Sequence, residues 1–186
     1  MCDEILVKHC SPTLAGLKTA NMFMYSFDSN STLMCDVCRL NRLLNKKGLR
    51  VIPLKVFEKK ALIYIYRPDR LASDLGNTKA EEVLKQCGYE CSNEGYCIRK
   101  LISRLGDSEE FPHEIGLFLG YPPDDVCGFI EKKECLLTGF WKVYGEPEKA
   151  EKKFAQFRKC TKVYYSCFCE GCPIEKLAVR SVNNCQ

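Results

Sequence analysis

Residues 49–68, LRVIPLKVFEKKALIYIYRP, constrain the fold more than any other stretch of the chain. Two runs rich in β-branched and aromatic residues flank the polar Glu58-Lys59-Lys60. That is the pattern of an antiparallel hairpin. Pro53 cannot donate to a strand ladder, so the first run belongs at a sheet edge or at a bulge. The second run, ALIYIY, is nearly continuous in apolar character. Burial on both faces, and hence a central strand, follows from that.

The rest of the chain supplies mostly helices. Residues 3–10 predict a short helix with Asp3 as its N-cap. Pro12 disfavours helix at Ser11, so the helix should stop by Cys10, followed by Ser11-Pro12-Thr13 as exposed loop. MFMYSF (22–27) reads as a strand. Leu33, Val37, Leu40 and Leu44 recur at helical spacing over 32–46, and Gly48 closes that helix. After Pro68, three segments (PDRLASDLG, TKAEEVLKQCG and 92–105) run helical towards a glycine. HEIGLFLG and PPDDVCGFIEKK predict two short helices, the second opened by Pro123. GFWKVYG (139–145) reads as a strand and EPEKAEKKFAQFRK as an amphipathic helix, while the tail supports no single assignment. The expected fold class is α+β: one domain over 1–186, with a small, mostly antiparallel sheet and several packed helices. Residues 160–186 are a candidate cysteine-rich C-terminal extension of it.

Composition removes several function classes. With 186 residues, 46% hydrophobic and 28% charged, the chain is long enough and apolar enough for a full core. Its 28 basic and 24 acidic side chains leave a net charge of only +4. They also interleave, as in EKKE (131–134) and EKAEKK (148–153), which marks solvated helix faces. A nucleic-acid partner is therefore not expected. Asp124 and Asp125 at a helix start oppose both phosphate binding and a helix-turn-helix reading. No apolar run approaches the ~20 residues of a membrane span. MCDEILVKHCSP lacks the basic start and apolar core of a signal peptide, so a cytoplasmic protein is expected.

Four phrases, HCSPTLAGLKTANMF (9–23), LIYIYRPDRL (62–71), FPHEIGLFLGYPPDDVCGFI (111–130) and WKVYGEPEKAEKKFAQFRKCT (141–161), together resemble a bacterial family of anaerobic Gram-positive genomes, catalogued as a domain of unknown function. The resemblance spans nearly the whole chain. It implies a bacterial, single-domain, cytosolic protein and supplies no activity, substrate or catalytic residue. CFCEGC (167–172) is richer in cysteine than that family's pattern.

Fourteen cysteines are the compositional outlier, and they direct the search for chemistry. Cys87, Cys97, Cys127 and Cys135 sit among apolar neighbours and read as packing. Cys10 at a helix end, with His113 as base and Glu114 beside it, is a candidate site for thiol or acyl-transfer chemistry. The competing reading packs Cys10 inward and leaves His113 and Glu114 to the first amides of their helix or to water. His9, Lys18 and Arg67 are candidate binding residues, the last two for an anion. Cys160, Cys167, Cys169 and Cys172 are candidate ligands for zinc or an iron–sulfur cluster, which would make the chain a non-catalytic metal- or thiol-binding accessory protein. Cys35 and Cys38 could complete that set or form a separate dithiol, but they fall one turn apart in a predicted helix, where packing is the commoner role. The sequence leaves open which of these roles is real and whether the chain is an enzyme.

Overall fold

The hairpin at 49–68 forms as its sequence predicts. In the computed structural model, which describes residues 3–90, 93–107 and 110–180, the chain groups into two compact units. One comprises Met1–Pro68 with Lys159–Gln186, the other Asp69–Arg158.

The first unit contains α1 (Asp3–Leu14), β1 (Ala20–Ser26), α2 (Asn30–Leu44), β2 (Arg50–Val56) and β3 (Lys60–Tyr66). Its sheet has the order β1-β3-β2 and is antiparallel throughout. β3 is central, and Ala61 to Tyr66 are all buried. β2 is an edge strand whose register shifts between Pro53 and Lys55, so the bulge falls where the ladder lacks a donor. In α2, Ser29 accepts the amide of Thr32 at 3.2 Å as the N-cap. Leu33, Val37, Leu40 and Leu44 form its buried stripe, and Gly48 ends the following turn at φ 73°.

One expectation fails in α1. The helix does not stop by Cys10; it runs through Pro12 to Leu14. An interior proline costs about 3 kcal/mol. Against that, Leu6, Val7, Cys10 and Leu14 are fully buried, and each large apolar side chain contributes about 1.5–3 kcal/mol. Tertiary burial outweighs the local penalty. Cys10 is consequently a core residue inside the helix, not its end, and Ser11-Pro12-Thr13 are buried helix instead of exposed loop.

The second unit is helical: α3 (Pro68–Leu75, starting at the unit boundary), α4 (Thr78–Gln86), α5 (Glu94–Asp107), α6 (Ile115–Phe118) and α7 (Pro123–Ile130). The first residue of the 92–105 segment lies outside the described residues. Pro123 opens α7 in its first turn, as expected. The strand expected over 139–145 shrinks to a two-residue pairing of β4 (Leu137–Thr138) with β5 (Lys142–Val143). Side chains supplement this short ladder: Trp141, Val143, Ala150, Phe154 and Phe157 form a cluster, with the Trp141 and Phe154 rings edge-on at 4.5 Å.

The ambiguous tail resolves as helix. α8 runs from Pro147 to Cys169, well past the segment read as amphipathic, and a short α9 (Ile174–Leu177) follows. Ile174 and Ala178 join the core of the first unit. Tyr165 donates to Glu4 at 3.1 Å, which ties the end of α8 to α1. The outcome is an α+β fold with a small antiparallel sheet and several packed helices. Among the described residues no helix is long and apolar enough to cross a membrane.

Candidate functional site

Cys10 and His113 fall in different units. Cys10 is fully buried, and desolvation holds its thiol well above the ordinary range, with Lys18 pulling only weakly the other way. A thiol that stays protonated is a poor nucleophile. Lys18 is itself buried; desolvation lowers its pKa to about 8, and its ammonium donates to the Ala20 carbonyl at 2.6 Å. His9 is exposed on α1, its ring stacked over Phe23 at 5.8 Å.

Arg67 follows β3 and is 1% exposed. Its Nε donates to the Thr13 carbonyl and its Nη2 to those of Leu14 and Val179, each at 2.8 Å, while Nη1 reaches Lys47 at 3.2 Å. The guanidinium thus closes the end of α1, where free carbonyls and the helix dipole favour a cation. Its donors face backbone carbonyls inside the unit, so the anion-binding expectation for Arg67 gives way to a structural one.

His113 and Glu114 precede α6 instead of opening it. His113 is exposed and stands edge-on to Phe129 at 4.9 Å. Glu114 makes no side-chain cap and turns inward, 2% exposed. Its Oε1 accepts the Tyr89 hydroxyl at 2.9 Å and lies 2.6 Å from Arg104 Nε. The Nε–H is not aligned on that oxygen, so the contact is an ion pair more than a hydrogen bond. Arg104 also donates from Nη1 to the Cys87 carbonyl at 3.2 Å. Burial first, and then Glu114, raise the pKa of both the Tyr89 phenol and the Cys87 thiol. Nothing in the sequence marks Tyr89 and Arg104 as partners of Glu114. Tyr89 follows the glycine that ends α4, and Arg104 flanks the buried Leu101 and Leu105.

Tyr89 also borders a groove of about 660 Å³ formed by α3, α4 and the start of α5. Among the described residues it is lined by the apolar Leu75 and Leu84, by Tyr89 and Asn93, and by three carboxylates, Glu81, Glu90 and Glu94, with one cation, Lys85. No spacing signal pointed to this groove, because its acids come from separate elements.

The C-terminal cysteines do not form one constellation. Cys160 is two helical turns before Cys167, about 10 Å along the axis at 1.5 Å per residue. Cys169 lies about 200° around the helix from Cys167. Both spacings oppose convergence on a single ion with Zn–S bonds near 2.3 Å. Among the described residues no group of three or more His, Cys, Asp or Glu side chains is placed to hold a metal. Cys35 and Cys38 are exposed on α2, away from its buried stripe. Cys97 is buried and disulfide-bonded. Among the described residues ten further cysteines, including Cys10, Cys160, Cys167, Cys169 and Cys172, are free thiols.

No curated protein and no solved structure matches this chain. The family described as "Protein of unknown function (DUF3793)" matches residues 6–178, and so takes in both units and the helical tail. The chain belongs to that family.

Proposed function

We propose that the second unit is a binding module for a small organic cation, taken into the groove between α3, α4 and α5. The observation that carries this reading is the groove's lining among the described residues: three carboxylates and one ammonium beside apolar side chains, at about 660 Å³. Ligand clefts commonly fall at roughly 300–1,000 Å³ and combine an apolar surface with a few polar groups. An ammonium would sit among Glu81, Glu90 and Glu94, and its methylenes against Leu75 and Leu84. Binding asks no more of the site than charge and apolar contact. Acyl transfer from Cys10 would ask for a thiolate, which burial opposes. Ten free thiols against the one disulfide-bonded Cys97 among the described residues favour a reducing compartment, the bacterial cytosol, for this module.

Isothermal titration of the full chain with spermidine at low salt tests the reading. The expected result is saturable binding, with Kd between about 1 µM and 1 mM, that weakens as salt screens exposed charges. The E81Q/E94Q variant should bind at least tenfold more weakly. No saturable heat, or equal binding by that variant, overturns the proposal.

A further inference from the structure

The turn that ends α8 brings two cysteines together, independently of the groove. Gly171 takes φ 89° and donates to the Phe168 carbonyl at 2.9 Å; Cys172 donates to the Cys167 carbonyl at 3.0 Å. This pair of bonds is a Schellman motif, in which the side chains at the two outer positions commonly meet. Here those positions are Cys167 and Cys172. The Cys172–Cys167 backbone bond also caps their Cα separation. Adding a Cα–N bond and the Cα-to-O span to 3.0 Å gives at most about 7 Å, and the real value is less because these segments are not collinear. Disulfides need Cα atoms within about 7 Å. Cys169 points to the other side of the helix, and Cys160 and Cys10 are buried. Cys167 and Cys172 are both free and half-exposed, within reach of a small reagent. Pro173 follows at once and fixes the chain direction after the turn.

We propose that Cys167 and Cys172 form a reversible dithiol–disulfide pair that exchanges with a low-molecular-weight disulfide. One thiolate attacks a sulfur of the reagent, RSSR, giving a mixed disulfide and releasing RS⁻. The second thiolate then attacks the protein sulfur of that mixed disulfide and releases the second RS⁻. The two cysteines are oxidised by two electrons and lose two protons, which the released thiolates take up as two RSH. Closure is intramolecular, and the turn already holds the partners near each other, so the mixed disulfide does not accumulate.

Oxidised glutathione on the reduced full chain, followed by alkylation and tryptic mapping, tests this. Cleavage after Lys162 and Lys176 leaves Cys167, Cys169 and Cys172 in one peptide, so C169S supplies an unambiguous background. The expected product is that peptide with two hydrogens lost, no alkyl groups, and full reversal by dithiothreitol. In C169S/C172S the same treatment should instead leave a stable glutathione adduct on Cys167. Circular dichroism confirms that each variant keeps its helices. A persistent glutathione adduct in C169S, a disulfide joining two molecules, or recovery of both thiols unmodified overturns the proposal.

Discussion

The indole N–H of Trp141 donates to Asp125 Oδ2 at 2.7 Å, while Oδ1 of the same carboxylate accepts the amides of Tyr144 and Gly145 at 2.7 and 2.9 Å. One buried side chain in the first turn of α7 therefore holds Trp141, Tyr144 and Gly145, the residues on either side of the two-residue β5 ladder. A hydrogen bond to a charged acceptor contributes about 1.5–3 kcal/mol. Asp125→Ala should lower unfolding stability by about 3 kcal/mol, and Asp125→Asn by less, since it keeps one acceptor. Trp141 is the chain's single tryptophan. Its emission during urea unfolding reads the loss directly, and a native spectrum already shifted to the red in Asp125→Ala is expected.

Glu114 gives a second test. Removing one partner of a fully buried pair costs about 3–5 kcal/mol, but the Arg104 side chain is 37% exposed and can turn to water. Glu114→Gln should therefore destabilise by about 2 kcal/mol and Tyr89→Phe by about 1 kcal/mol. Urea midpoints of the two single variants and the double variant measure the coupling. Strictly additive losses would contradict a shared network.

Alkaline pH should weaken the fold. Burial pushes the Cys10 thiol up, and Cys160 to about 11. Unfolded thiols lose their protons near pH 8.5, so above that pH the folded chain holds more protons and stability falls. Each such thiol removes up to about 1.4 kcal/mol per pH unit. Lys18 works in the opposite sense: its folded pKa of about 8 lies below its unfolded value, so its penalty is relieved as pH rises from 8 towards 10.4. Tyr25 and Tyr121, pushed up to about 12, add to the loss above pH 10. Urea midpoints at pH 7.5, 9 and 10.5 should decline, less steeply in Cys160→Ser and more steeply in Lys18→Met.

The sheet and α2 were legible because local and tertiary demands agree there. The stripe from Leu33 to Leu44 is both helical in period and buried, and Pro53 sits where an edge strand tolerates a missing donor. The sequence misled where packing overrode a local rule. Pro12 stays helical because the residues around it fill the core, and the tail stays helical because Phe154, Phe157, Cys160 and Tyr164 continue one stripe of α8. The sites were less legible still. His9 and Cys10, like His113 and Glu114, are neighbours in sequence, yet in each pair one side chain turns inward and the other outward. The partners that matter for Glu114 are 25 and 10 residues away, at Tyr89 and Arg104.

Arg67 binds carbonyls at 13, 14 and 179, and Ile174 and Ala178 complete the core around α1 and β3. The first unit is thus written in two parts of the chain with the second unit between them. A ribosome adding about 5–20 residues per second makes α1 and the sheet long before their last core residues. For roughly ten seconds that apolar surface stands unfinished while Asp69–Arg158 is being made. The N-terminal segment of the first unit therefore waits for Ile174 and Ala178, made after the whole intervening unit, to close its core.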